Sequence, residues 1–184
     1  MKNIVAVNVH FVETRCIIHM NYYNHYIKSQ VFGLLTALYV ILSFFMKIPL
    51  ISQIKVDLGY IVFGFSCYCF GWPAFIIGTL GCLIESFIFN GWIPIGWALG
   101  QVIIGIGCGF IYTKTNNKII HIIATIVFVF FGIACIKTGI ECVLYNIPLV
   151  VKIPKNIIAF IADTIPMIVG LFLGYRLKPY VIDE

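Results

Sequence analysis

Apolar residues run along this chain in long blocks, and polar residues gather at the breaks between them. Six such blocks follow a mixed opening segment: 29–46, 57–71, 73–90, 92–112, 118–142 and 156–177. Most reach the roughly 20 apolar residues that a membrane-crossing helix needs. The second is short and is read as tilted or partly enclosed by its neighbours. At the centre lies 78–112, two apolar helices joined by a tight turn at Asn90-Gly91, with Pro94 in the first turn of the second. Its polar and indole-bearing residues (Glu85, Asn90, Trp92, Trp97, Gln101) cluster around that turn, while the far ends carry glycines and aliphatics. Gly71-Trp72-Pro73 forms a corner, the glycine ending one helix and the proline opening the next. Residues 113–117 are a polar turn. Two longer connections, 47–56 and 145–155, contain proline, lysine and aliphatics and are too apolar to be solvated linkers, so they are expected to fold over something.

Composition turns these blocks into membrane spans. The 184 residues are 61% hydrophobic and only 10% charged, and the mean hydropathy is +1.04. A soluble chain of this length could not hide so much apolar side chain, so the bilayer must act as solvent. The expected architecture is all-α, a six-helix transmembrane bundle over 29–178, preceded by a polar segment 1–28 and followed by a tail 179–184. His10, Glu13, Arg15 and His19 interrupt any apolar core in the opening segment, which is therefore no secretory signal, and Met20 is a plausible start. The net charge of +5 comes from lysines and arginines mostly in connections, which suits lipid headgroups; no basic-aromatic stripe of a nucleic-acid binder is present. Seven cysteines, mostly inside apolar runs, read as small buried hydrophobes, with neither a disulfide framework nor a metal site expected.

With six crossings, alternate helix ends fall on alternate sides. Every acidic residue between the termini then lies on one side: Asp57, Glu85, Glu141 and Asp163. Lys55, Lys137, Gln101, Asn146 and Asn156 join them there. Carboxylates within membrane spans are costly and usually face a bundle interior or an aqueous cavity. Lys137 and Glu141, one turn apart, can also simply pair with each other. Trp97 and Gln101, at i and i+4, share a helix face, and an indole above an amide can stack on and hydrogen-bond a planar heterocycle. Trp92 has an ordinary explanation as an interfacial anchor. Seven lysines and arginines on the side of the termini against five on the acidic side favour cytoplasmic termini, with the acidic side facing outward. Small residues spaced for close helix contact occur at Gly33/Ala37, Gly96/Gly100, Gly105/Gly109 and Gly170/Gly174. Internal packing is the default for the last three pairs, while the first could face another subunit.

Catalytic motifs are scarce. His121, the one histidine within a span, lies at the end opposite the acids, and neither a Gly-x-Ser-x-Gly, a His-Glu-x-x-His nor a phosphate loop occurs. No cofactor is implied. A small membrane enzyme using Glu85 and Asp163 as an acid/base pair stays open as an alternative, as does a purely structural membrane subunit.

A six-helix hydrophobic chain with the corner Phe70-Gly71-Trp72-Pro73, followed by Gly78-x-x-Gly81-x-x-x-Glu85 and Asn90-Gly91-Trp92, resembles the substrate-binding S components of energy-coupling factor (ECF) transporters. The stretch from Gly81 to Trp97 is most similar to a branch linked to riboflavin or thiamine-precursor transport. The resemblance covers approximately 31–178; Gly33 in place of the usual alanine, and Trp72 inserted into the corner, depart from the family pattern. It implies a plasma-membrane protein that is not an enzyme and captures a small vitamin-like ligand in an outward cavity. That protein would dock through helix 1 onto a membrane T component driven by paired ABC-type ATPases. Gly33 and Ala37 would form the docking motif, and 47–56, with Ser52, Gln53 and Lys55, the lid. Lys55, Asp57, Glu85, Trp92, Trp97, Gln101, Glu141, Asn156 and Asp163 would supply the binding site.

Overall fold

Six helices and one small hairpin form in the computed structural model, which describes residues 29–45, 48–51 and 54–182. Helix α1 spans Ser29–Phe45. A two-stranded antiparallel hairpin follows, β1 (Ile48–Ile51) and β2 (Ile54–Val56), with Ile48 opposite Val56. Then come α2 (Gly59–Phe70), a 3₁₀ turn (Trp72–Ala74), α3 (Phe75–Asn90), α4 (Ile95–Lys114), α5 (Lys118–Tyr145) and α6 (Leu149–Ile182). The chain divides into two units within α1. Of Met1–Leu34 only the opening turns of α1 are described, and the opening segment with Met20 lies outside the described residues. The fold and cavity described below belong to Leu35–Glu184.

Among the described residues, four helices are long and apolar enough to cross a membrane, while α1 and α2 are shorter. At 12 residues α2 rises only about 18 Å, well short of a hydrocarbon core of about 30 Å. Its enclosure explains how it survives: Tyr60, Phe63 and Cys67 are wholly buried, and its most extensive contact is with α6. The two backbones approach closely because Gly64 faces the Met167 carbonyl and Gly170 faces that of Ile61, where any side chain would collide. Outward faces carry aliphatics and rings, such as Leu80, Ile84, Phe87 and Ile88 on α3, all exposed as lipid-facing residues should be.

The corners follow from single residues. Gly71 takes φ 73° and ψ −146°, a conformation side chains rarely adopt, and its N–H closes α2 on the Cys67 carbonyl at 3.1 Å. Pro73 then starts the 3₁₀ turn into α3. Gly91 ends α3 in the left-handed region, its N–H donating to the Phe87 carbonyl at 3.0 Å.

Three expectations change. Within the connection 47–56, to which the sequence pattern assigns no regular structure, 48–51 and 54–56 pair as strands. Residues 145–155 are mostly helix: α5 runs to Tyr145, Asn146 turns through φ 51°, and α6 begins at Leu149 rather than at 156. Pro148 precedes the first helical residue, where no backbone donor is needed, and its carbonyl accepts from Val151 N at 3.0 Å. Pro154 removes one rung near the helix end, opposite Val150, which is 83% exposed. Third, α5 is not uniform: Phe131–Lys137 winds as a π-helix. Gly132 lets that wider segment press on α4, where a Cβ on Gly100 would sit 2.8 Å from the Gly132 carbonyl oxygen.

Candidate functional site

The ends of α3, α4, α5 and α6 that meet near the Asn90 turn enclose a cavity of about 790 Å³. Such a volume lies within the range of roughly 300–1,000 Å³ usual for small-molecule sites. Of the residues singled out from sequence, Asp57, Glu85, Trp92, Trp97, Gln101, Glu141, Asn156 and Asp163 all line it. Lys55 lies in β2, but its side chain is outside the described residues, as are Ser52 and Gln53.

Asp57 is held from three sides at the mouth of α2. Its Oδ1 accepts from Ser43 Oγ at 2.6 Å and from the Gly59 N–H at 2.8 Å. Its own N–H donates to Asp163 Oδ1 at 3.3 Å. Its carboxylate ties α1 to the start of α2 and its backbone N–H reaches α6, where Asp163 is buried. Glu85 is buried on α3 and accepts from Ser86 Oγ at 3.2 Å.

Lys137 sits at the end of the π segment and points inward. Its ammonium lies 3.6 Å from the centroid of the Trp97 ring and donates to Asn156 Oδ1 at 2.9 Å. Asn156 Nδ2 in turn donates to Thr138 Oγ1 at 2.8 Å, and Thr138 donates to the Ile133 carbonyl five residues back at 3.1 Å. The π winding shapes this chain, since it opens the helix so that a hydroxyl reaches that more distant carbonyl. A buried ammonium on an indole face is worth about 2 kcal/mol or more, which helps to hold the lysine away from water. The local pairing of Lys137 with Glu141 is therefore not the one that forms. Glu141 instead makes an ion pair with Lys152 at 2.9 Å, across from α5 to the first turns of α6.

Gln101, one turn below Trp97 on α4, donates from Nε2 to the Tyr60 hydroxyl at 2.8 Å. Trp92 stands at the rim, edge-on to Tyr145, with ring centroids 5.8 Å apart. Sequence reasoning did not include Tyr39, Lys137, Lys152 and Lys155 among the binding residues, although all four line the cavity. A cue was available for Lys137, a lone cation deep in an apolar run. Lys152 and Lys155 are two of the five cations on the acidic side, but their place on the cavity wall depends on α6 starting early. Among the described residues no group of three or more His, Cys, Asp or Glu side chains is placed to hold a metal ion.

Comparison with known proteins identifies the family and the fold. The family model for the ECF-type riboflavin transporter, S component, matches residues 24–179. Among solved structures, the S component for biotin from an ECF-type ABC transporter is 17% identical and superposes with a TM-score of 0.63, over 84% of this chain and 93% of that one. FolT bound with folic acid is 20% identical with a TM-score of 0.64, over 84% of this chain and 95% of that one. At such identities the likeness concerns the fold alone. No curated protein sequence matches significantly. The match along most of the chain, on a six-helix fold with a cavity at one membrane face, places this protein in the family of ECF-type riboflavin transporter S components, membrane substrate-binding subunits rather than enzymes.

Proposed function

We propose that the protein captures riboflavin, or a vitamin with a closely similar planar ring system, in the cavity lined by Asp57 and the facing ends of α3, α4, α5 and α6. One observation carries this reading: Trp97 and Gln101 stand one turn apart in a cavity of about 790 Å³, with Lys137 between the indole and Asn156. A flat heterocycle stacks on an indole with little loss of conformational freedom, and its ring carbonyls accept from an ammonium. Asp57, Glu85, Glu141, Asn156 and Asp163 provide acceptors and donors for the polyol, and Trp92 closes the rim. The name of the matching family supports the choice of a flavin.

In the membrane, the cavity faces outward and the chain termini are cytoplasmic, in keeping with the lysine and arginine count. Helix α1 docks on the T component through the small residues Gly33 and Ala37, spaced four apart in sequence, and paired ABC-type ATPases drive release inward. Fluorescence titration of the detergent-purified protein with riboflavin tests capture: saturable quenching of the flavin is expected, and its absence discards the flavin. Mass spectrometry of small molecules retained through purification gives an independent answer. Gly33→Leu should leave riboflavin titration unchanged yet abolish uptake in cells that supply the T component and ATPases. Normal uptake would remove the docking face.

A further inference from the structure

One hydroxyl on the cavity wall has no bond within the described protein. Among the described residues of α1, Tyr39 alone lines the cavity, and it is only 1% exposed. Glycine locates its ring: a Cβ on Gly81 of α3 would lie 2.4 Å from Tyr39 Cδ1, so the ring rests directly on the α3 backbone. The Tyr39 hydroxyl makes no hydrogen bond with any described residue. It is not sealed off, in contrast to Thr79 Oγ1 and Gln101 Oε1, the described buried side-chain oxygens that lack both a partner and accessible surface. The little surface that Tyr39 keeps therefore includes its hydroxyl, and the space it borders is the cavity. Buried tyrosines usually bond their O–H, and phenylalanine would fill the same room without an unpaired oxygen.

The surroundings indicate what bonds it. A Cβ on Gly59 would lie 3.0 Å from Asp57 Oδ1 and 3.1 Å from the Tyr39 carbonyl oxygen, so Tyr39 and Asp57 are neighbours across the start of α2. Asp163 joins them through the Asp57 N–H. All three line the cavity. The contacting trio of Trp97, Lys137 and Asn156 marks another part of the wall. Asp163 lies two turns further along α6 than Asn156, about 10 Å away along the axis. The cavity thus pairs a ring-stacking region with a separate region of one phenol and two carboxylates.

We propose that the Tyr39 hydroxyl hydrogen-bonds a ligand hydroxyl, and that Tyr39, Asp57 and Asp163 form the part of the cavity that takes a polyol chain. The class of ligand is a planar ring carrying a polyhydroxylated side chain, and the same ring without that chain binds weakly. A phenol and an alcohol each donate and accept, so their bond forms whichever way either O–H rotates. The carboxylates only accept, and they take the O–H that the chain has left to give. The inference rests on the flavin reading above, since riboflavin joins such a ring to such a chain.

The test compares riboflavin with lumiflavin, the same ring with a methyl in place of the polyol, by quenching of flavin fluorescence on the full chain in detergent. The unmodified protein should bind riboflavin at least tenfold more tightly. Tyr39→Phe should weaken riboflavin about 3- to 10-fold and leave lumiflavin within about twofold, which narrows the ratio. Because the hydroxyl bonds nothing in the described protein, the ligand-free variant should melt within about 2 °C of the unmodified chain. A variant that melts several degrees lower, or fails to fold, shows that the oxygen serves the fold and overturns the inference. So does a variant that lowers both affinities by the same factor, or that leaves riboflavin binding unchanged. Equal binding of the two flavins by the unmodified protein overturns the polyol assignment without any variant. If riboflavin itself fails to bind, the flavin reading falls and takes the inference with it, a result distinct from binding without discrimination.

Discussion

The two ends of the helices both bury polar side chains within apolar spans, yet they treat them differently. At the end away from the cavity, His121 Nε2–H donates to the Thr115 carbonyl at 2.8 Å, and Nδ1 accepts from the Tyr175 hydroxyl at 2.8 Å. Thr125 donates to the His121 carbonyl at 2.8 Å and accepts from the Tyr112 hydroxyl. Tyr68 packs edge-on to Tyr175, with centroids 4.6 Å apart, and Lys178 lies over the Tyr68 ring. Donors and acceptors around His121 close on one another there, and rings fill the remaining space, although Thr79 Oγ1 in the opening turns of α3 is buried without a hydrogen-bond partner. At the cavity end, acids, lysines and an amide surround about 790 Å³ instead, and one amide oxygen stays without a partner. Polar groups that satisfy one another serve the fold; polar groups arranged around a space serve a ligand. The cost of burying them is similar, so the difference in closure is what separates scaffold from site.

The largest effect is expected from Trp97→Ala. It removes the stacking surface and the seat of Lys137 together, so riboflavin affinity should fall at least tenfold, and the melting temperature in detergent should fall by several degrees as the ring–ammonium contact is lost. Unchanged affinity would mean that the indole faces no ligand. Asp163→Ala comes next, since it deletes a buried carboxylate and the acceptor for the Asp57 N–H. Affinity should again drop at least tenfold, with Asp163→Asn, which keeps the acceptor, recovering part of the loss. Equal affinities for the two variants would show that charge, not the tie to Asp57, is what matters at this position.

How much of this contrast could be read from the sequence depends on which interactions are local. The convergence of Asp57, Glu85, Glu141 and Asp163 follows from counting crossings, because each helix end has only two sides to choose from. Trp97 above Gln101 follows from helical spacing alone. The partner of Lys137 does not: spacing offers Glu141 four residues on, but the π turn and Asn156 on another helix win in the folded chain. Tyr60 was equally invisible, one tyrosine in an apolar run 41 residues from the amide it holds. The early start of α6 was hidden by Pro148 and Pro154, which read as breakers; Pro148 just precedes the helix, where no donor is needed, and Pro154 costs one rung that the helix carries on past. The hairpin was concealed because its strands are too short to show alternation.

The far end should respond in the opposite sense to the cavity. His121→Leu leaves the Thr115 carbonyl and the Tyr175 hydroxyl without their partner, a loss of about 1–3 kcal/mol. Melting temperature in detergent should fall by several degrees, at about 2–4 °C per kcal/mol, with riboflavin affinity unchanged. A loss of affinity at unchanged stability would erase the distinction between scaffold and site.

The smallest effect should come from the pair that lies between these extremes, Glu141 and Lys152. It lines the cavity but keeps some contact with water, with side chains 10% and 18% exposed. Partly hydrated ion pairs are worth about 1 kcal/mol or less and are weakened by salt. Glu141→Gln keeps the shape and removes the charge, so riboflavin affinity should change by no more than about threefold, and by less as ionic strength rises. A tenfold loss would move Glu141 from the wall of the cavity to direct contact with the ligand. In that case Lys152, freed from its partner, becomes a second cation facing the ligand, and Lys152→Met in the same background should restore part of the binding. If it restores none, the carboxylate itself is what the ligand meets.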